Sequence, residues 1–152
     1  MAKGKSKFDN KFKSTSPSDS RKANVRNERS VKEDIPKISF NFKDFDQKQC
    51  PPGQTFEQWE EEHGLSKLMR KFVDVCQYNI IEAQQMKLLK VYGEFPQHSE
   101  FHKPSFIEGE VEWGTIQRIG GQKPRLAGYI IGSVFYPVFL DKEHKFYPST
   151  KK

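Results

Sequence analysis

The segment that most constrains the fold is residues 126–140, because two apolar stretches there are separated by a single dipeptide. Residues 126–131 and 134–140 are rich in aliphatic and aromatic side chains, a composition that favours strands. Gly132-Ser133 lies between them, and glycine in the first position suits a two-residue type II′ turn. Pro137 has no N–H to donate, so we expect an edge position or a bulge in the second strand. The sequence therefore predicts a β-hairpin.

Alternating side chains indicate further strands on both sides of the central region. Apolar and polar residues alternate in residues 37–42 and again in residues 113–119, which is the period of a half-buried strand. Gly120-Gly121-Gln122-Lys123 follows the second of these and predicts a turn into the hairpin. Phe146-Tyr147, after the hairpin, could add a short extension. We therefore expect a β-meander of three or four strands.

Two helix starts are marked by capping boxes, in which a polar N-cap residue is followed three positions later by Glu or Gln. Two pairs fit this pattern: Thr55 with Gln58, and Asn79 with Glu82. Apolar residues recur at helical spacing in residues 56–76, where Gly64 either splits the helix in two or weakens it. The same spacing after the second box predicts a helix that ends by Gly93. The sequence therefore predicts two or three helices.

The order of these segments predicts an α+β fold: an N-terminal strand, two or three helices packed on one face, and a mostly antiparallel meander. We expect residues 35–152 to form a single domain with a long loop at about residues 93–112, where Pro96 and Pro104 interrupt regular structure. Residues 1–34 are expected to be a disordered basic tail, because they contain almost no aliphatic residues to bury.

Charge is distributed unevenly along the chain, whose formal net charge is +6. Residues 1–34 contain 10 Lys and Arg against 5 Asp and Glu, residues 35–112 contain 9 against 13, and residues 113–152 contain 7 against 2. Basic surface in the first and last segments favours a polyanionic partner, most commonly nucleic acid. Phe8 and Phe12 lie among lysines of the tail, where the rings could stack on bases while the lysines bind phosphates. The alternative is that the basic tail serves solubility and that both phenylalanines belong to a plain extension.

Cysteine and histidine spacings do not fit the common metal sites. Cys50 and Cys76 lie far apart and form no Cys-x-x-Cys motif, so we expect free thiols in a reducing compartment. His98 and His102 are four residues apart, but prolines flank them and no third ligand is evident, so no metal and no other cofactor is expected. The charged N-terminus does not fit a signal peptide, and no segment approaches about 18 apolar residues. We therefore expect a cytoplasmic protein that does not bind membranes.

Residue types suited to RNA chemistry gather at the ends of the expected sheet. Alternation along the strands could bring together seven of them: Arg118, Lys123, Arg125, Tyr129, His144, Lys145 and Tyr147. Cleavage of RNA without a metal needs a base for the 2′-hydroxyl proton, cations that stabilise the phosphorane, and an acid for the leaving 5′-oxygen. The set contains residue types for each of these needs.

Individual residues of this set have both a chemical and a structural interpretation. The guanidinium groups of Arg118 and Arg125 match phosphate geometry. The imidazole of His144 titrates near neutrality and can serve as base or acid. Tyr147 or Tyr129 could stack on a base or donate a proton. Against this, tyrosines in strands commonly serve packing, and the DKEHK segment that contains His144 could be a solvated turn.

The order of the expected elements resembles that of the RelE/HigB-like toxin superfamily: a strand, a helical hairpin and then a β-meander. Members of this superfamily are the mRNA interferases of bacterial type II toxin–antitoxin systems. WGTIQRIGGQKPRLAGYIIGSVFYPVFLDKEHKFY, residues 113–147, is similar to the last three strands of that family. ISFNFKDFDQ, residues 38–47, with the tryptophan-bearing helix after it, is similar to the first strand and helix. The resemblance covers residues 37–147, with residues 87–112 as an insertion. It implies an endoribonuclease that acts on free or ribosome-bound mRNA and is held by an antitoxin protein.

Residue roles can be carried over by position. Arg125 resembles the family's phosphate-binding arginine, and Lys123 and Arg118 resemble its basic strand and turn residues. The tip after the last strand reads DKEHK here, with no clear arginine, and some family members poison gyrase and cleave no RNA. The catalytic candidates are Arg125, His144 and Tyr147. The RNA-binding candidates are Arg118, Lys123, Tyr129 and Lys145.

Two other classes of function fit the same sequence. The basic sheet could belong to a non-enzymatic nucleic-acid- or protein-binding module of a mobile element. Alternatively, the chain could be a structural interaction protein whose 13 phenylalanines are docking and core residues. Growth arrest with mRNA cleavage on induced expression would separate the toxin from both.

Overall fold

The computed structural model describes residues 34–148. Residues 1–33 and 149–152 lie outside this range, and the expectation of a disordered basic tail at residues 1–34 falls almost entirely on them. Within the described range, residues 37–148 belong to one compact unit, which contains all the elements named below.

Five strands and three helices make up this unit, in an α+β arrangement. In chain order they are β1 (Ser39–Phe40), α1 (Phe56–Glu60), α2 (Gly64–Val75), α3 (Ile80–Gln85), β2 (Leu89–Gly93), β3 (Glu112–Ile116), β4 (Arg125–Ile131) and β5 (Val134–Asp141). The strands form one mixed sheet of order β1-β5-β4-β3-β2, in which β2 to β5 are an antiparallel meander and β1 runs parallel to β5. None of the helices in residues 34–148 is long and apolar enough to cross a membrane.

Both expected capping boxes are confirmed. The backbone N–H of Gln58 donates to the Thr55 hydroxyl at 3.2 Å, and the N–H of Thr55 donates to the Gln58 side chain at 2.9 Å. Glu82 and Asn79 make the same reciprocal pair at 2.8 Å and 3.0 Å. Each box satisfies backbone N–H groups that the first helical turn leaves without partners, and so fixes where α1 and α3 begin.

Gly64 divides the first helical region into α1 and α2. A Cβ at this position would lie 2.5 Å from the carbonyl oxygen of Trp59, so only glycine allows the chain to turn this closely. His63, just before it, has the left-handed φ of 61°. Trp59 of α1 is buried, and α2 begins directly after the left-handed residue.

The helix expected to extend towards Gly93 ends earlier, at Gln85, and a strand follows. Lys87 adopts a left-handed φ of 62°, which stops the helix. Leu89 and Val91 then join the core beneath the helices, and residues 90 and 92 face the other side of the sheet. The alternation in LKVY is therefore a strand pattern, and the expectation of a helix in these residues was wrong.

The predicted hairpin is present. Ile131 pairs with Val134 around Gly132-Ser133, and Gly132 has a φ of 63°. Pro137 lies in β5, an interior strand, but the pairing register shifts next to the Gly128–Pro137 pair. The bulge accommodates a residue with no N–H. Of the two expected alternatives for Pro137, an edge position or a bulge, the structure has the bulge.

Two apolar clusters cover the two faces of the sheet. The first lies under the helices and includes Trp59, Leu68, Val75, Ala83, Leu126 and Phe135. The second lies on the opposite face, which we call the second face, and includes Phe101, Ile107, Trp113, Val138, Phe139 and Phe146. Residues 94–111 are the expected long loop, and with the segment after β5 they cover part of the second face. Phe146 forms no strand; its ring is fully buried in the second cluster.

Candidate functional site

Side chains from β2, β4 and the segment after β5 gather at one end of the second face, beside the covered part. We call this group the sheet-end cluster: Lys90, Tyr92, Arg125, His144 and Tyr147. The rings of Tyr92 and Tyr147 are stacked with centroids 4.1 Å apart, and the Lys90 ammonium lies 5.5 Å from the Tyr92 ring centre. Arg125 lies close enough to act electrostatically on both Tyr92 and His144. The structure therefore brings together the three predicted catalytic residues.

Arg125 is the first residue of β4 and is half-buried at the sheet end. One terminal nitrogen, Nη1, donates to the Gln122 carbonyl at 3.1 Å, whereas Nε is buried and has no hydrogen-bond partner. Burial lowers the pKa of Arg125, and the nearby Tyr92 and Asp141 oppose that shift. The ordinary pKa of arginine lies far above neutrality, so the guanidinium stays charged at neutral pH. It is a half-buried cation whose side chain is fixed by the hydrogen bond from Nη1 to Gln122.

Asp141 organises the turn that carries His144. Its carboxylate is buried and accepts hydrogen bonds from the backbone N–H groups of Lys145, at 2.7 Å, and Phe146, at 2.8 Å. Burial raises the pKa of Asp141, and these two hydrogen bonds oppose the shift. His144 lies within the turn with a left-handed φ of 62°. The turn is thus anchored to the sheet by a buried acceptor, and the alternative of a merely solvated turn does not describe it.

His144 lies among positive charges. Its ring is half-buried, and burial is the main reason why the pKa of His144 falls below its usual value. The charges of Arg125, Lys90 and Lys123 lower it further. The imidazole is therefore neutral at pH 7 and available to accept a proton, which favours the role of base over that of acid.

The stacked tyrosines form an aromatic platform next to these cations. Tyr147 is 41% exposed, so one face of its ring is covered by Tyr92 and the rest is open to solvent. The Tyr92 hydroxyl lies 3.4 Å from the hydroxyl of Thr115 on β3, and burial raises the pKa of Tyr92. Both features hold Tyr92 as a neutral, fixed support for Tyr147.

Two of the predicted RNA-binding residues lie at the margin of the cluster. Lys123 is exposed and pairs with Glu143 at 3.7 Å, and its charge reaches His144. Lys145 pairs with Glu100 of the long loop at 3.9 Å. Exposed pairs of this kind are weak and exchange readily for other partners.

The other two predicted RNA-binding residues lie elsewhere. Arg118 is exposed and lines a groove on the α2 side, although its charge still reaches Arg125. Tyr129 is only 3% exposed; its hydroxyl donates to the Asp44 carboxylate and its ring stacks on Tyr136 at 4.7 Å. Burial is the main reason why the pKa of Tyr129 rises. Tyr129 is a packing residue whose ring cannot stack on a base, so its assignment to the site is corrected.

Lys90 and Tyr92 were missed in the sequence because residues 87–92 were assigned to a helix. The pattern Leu-Lys-Val-Tyr could have revealed them, since alternation with β-branched and aromatic residues is typical of a strand. Asp141 was missed because a buried turn acceptor and a solvated aspartate look the same in sequence.

No three His, Cys, Asp or Glu side chains within residues 34–148 are arranged to hold a metal ion. His98 and His102 lie in the long loop, and the backbone N–H of His102 donates to the Gln49 side chain at 2.9 Å. Comparisons with protein-family models, with curated proteins and with solved structures find no match to this chain.

Proposed function

We propose that this protein is a RelE/HigB-like endoribonuclease that binds mRNA, free or on the ribosome, at the sheet-end cluster and cleaves it without a metal. The observation that carries the proposal is the environment of His144: a half-buried, neutral imidazole that Arg125, Lys90 and Lys123 surround with positive charge. A neutral base among cations is what attack by a 2′-hydroxyl on a phosphate needs.

Each residue has a separate task in this reaction. His144 takes the proton from the 2′-hydroxyl, whose oxygen attacks phosphorus. Arg125 binds the phosphate through the exposed part of its guanidinium and stabilises the charge that builds up on the phosphate oxygens. The bond to the 5′-oxygen breaks, and this oxygen leaves with a proton. Tyr147 either supplies that proton or stacks on a neighbouring base.

The order of elements also supports the proposal. A strand, helices and an antiparallel meander follow one another, as in the RelE/HigB-like family. The long loop, residues 94–111, departs from the family pattern. On this proposal the protein acts in the cytoplasm and an antitoxin protein restrains it.

A two-part experiment tests the function. The protein is induced in a bacterium and growth is followed; the purified protein is then mixed with a free or ribosome-bound transcript in the presence of EDTA. We expect growth arrest and RNA fragments that end in a 2′,3′-cyclic phosphate. An Arg125→Ala/His144→Gln double variant is the control, and it should do neither. If the parent protein arrests nothing and cuts neither transcript, the nuclease proposal is wrong.

A second candidate is a binding module without catalytic activity. A groove of about 550 Å³ lies on the α2 side. Its charged lining consists of one carboxylate, Asp74, and four cations: Lys67, Arg70, Lys71 and Arg118. Among the ion pairs of residues 34–148, none involves these four cations, so their charge is free to bind phosphates. This candidate would be favoured if the protein binds RNA more weakly at higher salt concentration and cleaves neither transcript in the experiment above.

A further inference from the structure

A pocket of about 550 Å³ opens beside the stacked tyrosines of the sheet-end cluster. Tyr92 and Tyr147 form part of its wall, and the rest comes from residues 93–98 and Pro148. This volume lies within the range of about 300–1,000 Å³ that is usual for small-ligand sites. Most of the lining belongs to the start of the long loop, which is also the part of the chain that departs from the family resemblance.

The aromatic wall of the pocket is held in place by the second cluster. Phe95 packs edge-on against Trp113, with ring centres 4.8 Å apart, and against Phe146 at 5.3 Å. Tyr147 is fixed from one side by its stacking on Tyr92. Because these rings are packed before any ligand arrives, a flat ligand would lose little energy to rearrangement of the walls.

The polar groups of the pocket differ from those of the neighbouring cluster. The charged side chain in the lining is a carboxylate, Glu94, and Gln97 and His98 add hydrogen-bonding groups. A carboxylate repels phosphate but accepts hydrogen bonds from an exocyclic amino group, as acidic side chains do with cytosine. The cations Lys90 and Arg125 both act on Tyr92, the residue that the cluster and the pocket share. Phosphate is thus favoured in the cluster and a base in the pocket.

We infer that the pocket binds one unstacked, amino-bearing nucleobase of the RNA strand whose phosphate lies on Arg125. The inference rests on the proposed function, because it assigns a base-binding subsite to the same RNA site. Stacking on the aromatic wall supplies most of the affinity, and Glu94 distinguishes adenine, cytosine and guanine from uracil, which lacks the amino group.

The test compares two small ligands that share a phosphate and differ by the base. Adenosine 5′-monophosphate and ribose 5-phosphate are titrated separately into the full-length protein by calorimetry, with a single-stranded RNA 12-mer titrated in parallel. We expect the nucleotide to bind at least about tenfold more tightly, since stacking on one aromatic side chain commonly changes affinity by about 5- to 150-fold. Cytidine 5′-monophosphate should bind more tightly than uridine 5′-monophosphate, which has the same ring size but no amino group, and Glu94→Ala, which removes the acceptor, should remove that difference.

A matched pair of variants localises the effect to the pocket. Gln97→Trp fills the pocket and should bring the affinity ratio of nucleotide to ribose phosphate close to one. Gln84→Trp introduces the same side chain at an exposed position on α3 and should leave the ratio unchanged. Equal affinities for the two ligands in the parent protein, or no binding of either, overturn the base pocket. If the 12-mer still binds in that case, the proposed RNA site survives. If the 12-mer fails to bind, free RNA is not the substrate and the ribosome-bound transcript of the cleavage experiment decides the proposed function; the ratio of the small ligands still decides the pocket.

Discussion

Arg125 and Asp141 are cross-strand partners at the end of β4 and β5, yet they make no ion pair within 4.0 Å. The carboxylate of Asp141 is occupied by backbone N–H groups of the turn that follows β5. Arg125 keeps a buried Nε with no hydrogen-bond partner. A close arginine–aspartate pair would neutralise the site, whereas this arrangement leaves the arginine charge available for a phosphate.

The first prediction concerns Arg125 as a phosphate ligand. Arg125→Ala should weaken RNA binding by about 10- to 150-fold, because hydrogen bonds to charged groups contribute about 1.5–3 kcal/mol. Arg125→Lys should restore only part of this, since an ammonium cannot make the forked contact. Filter binding at several salt concentrations measures both. Lys48→Ala, which removes one positive charge from an exposed position outside both the sheet-end cluster and the α2 groove, is the control; an equal loss there would mean that binding is diffuse electrostatic attraction.

The second prediction concerns Asp141 as the anchor of the turn. Asp141→Asn replaces one acceptor oxygen with an NH₂ group that faces a backbone N–H, so one buried donor loses its partner. The free energy of unfolding should fall by about 1–3 kcal/mol. The cleavage rate should fall as well, because the turn that positions His144 loosens. Urea denaturation and single-turnover kinetics measure these effects. Asp74→Asn, on exposed α2, should change neither; an equally stable Asp141→Asn protein would contradict the anchoring role.

Local signals in the sequence were sufficient for most of the fold. Capping boxes, a glycine-first turn and strand alternation depend on contacts within a few residues, so Thr55, Asn79 and Gly132 could be interpreted without knowing the tertiary structure. The error at residues 87–92 arose where the helical and strand periods overlap in a short apolar run. There, Lys87 in a left-handed conformation determines the outcome, and lysine gives no sequence signal for it.

The site was harder to predict because it depends on long-range pairing. Placing Arg125, His144 and Tyr147 together needed only the strand order of the meander. Tyr129, however, was assigned to the exposed side because alternation cannot tell whether a face is covered by a distant loop. The contact that buries its hydroxyl comes from Asp44, which is 85 residues away in the chain. Such contacts have no local signature.

The third prediction compares two phenylalanines that the sequence alone does not distinguish. Phe135 is fully buried, and Phe135→Ala should cost about 3–5 kcal/mol, as for other buried aromatic residues. Phe72 is half-buried against Phe40 and Phe42, with the Phe40 ring centre at 4.3 Å, so Phe72→Ala should cost about half as much. Urea denaturation of the two variants measures the difference. Equal costs would mean that the α2–β1 contact is as well packed as the centre of the sheet.

The fourth prediction follows from the lowered pKa of His144. In the unfolded chain His144 takes up a proton near pH 6.5, but in the folded protein burial and the surrounding cations delay this to a lower pH. Its contribution to stability is therefore complete above about pH 6.5 and is lost as the pH falls through the folded-state pKa. The parent should lose more stability than His144→Gln between pH 7 and 5, in thermal melts at matched ionic strength. Asp141 titrates in both proteins, so the difference between them isolates the histidine. Parallel curves would show that His144 is not desolvated.

The last prediction tests His144 as the base. His144→Gln should leave RNA affinity nearly unchanged and lower the single-turnover cleavage rate by about 10²–10⁴-fold, the usual contribution of a general base. In the parent, the rate should be level around pH 7 to 8 and should fall as acid protonates the imidazole, with the midpoint below pH 6.5 because the pKa of His144 is lowered. His102→Gln, at an exposed position in the long loop, is the matched control and should keep both the rate and this profile. If His144→Gln cuts as fast as the parent, the imidazole has no part in proton transfer. A rate that instead rises as the pH falls below 6.5 would mean that the protonated form is the active one, and His144 would then serve as the acid.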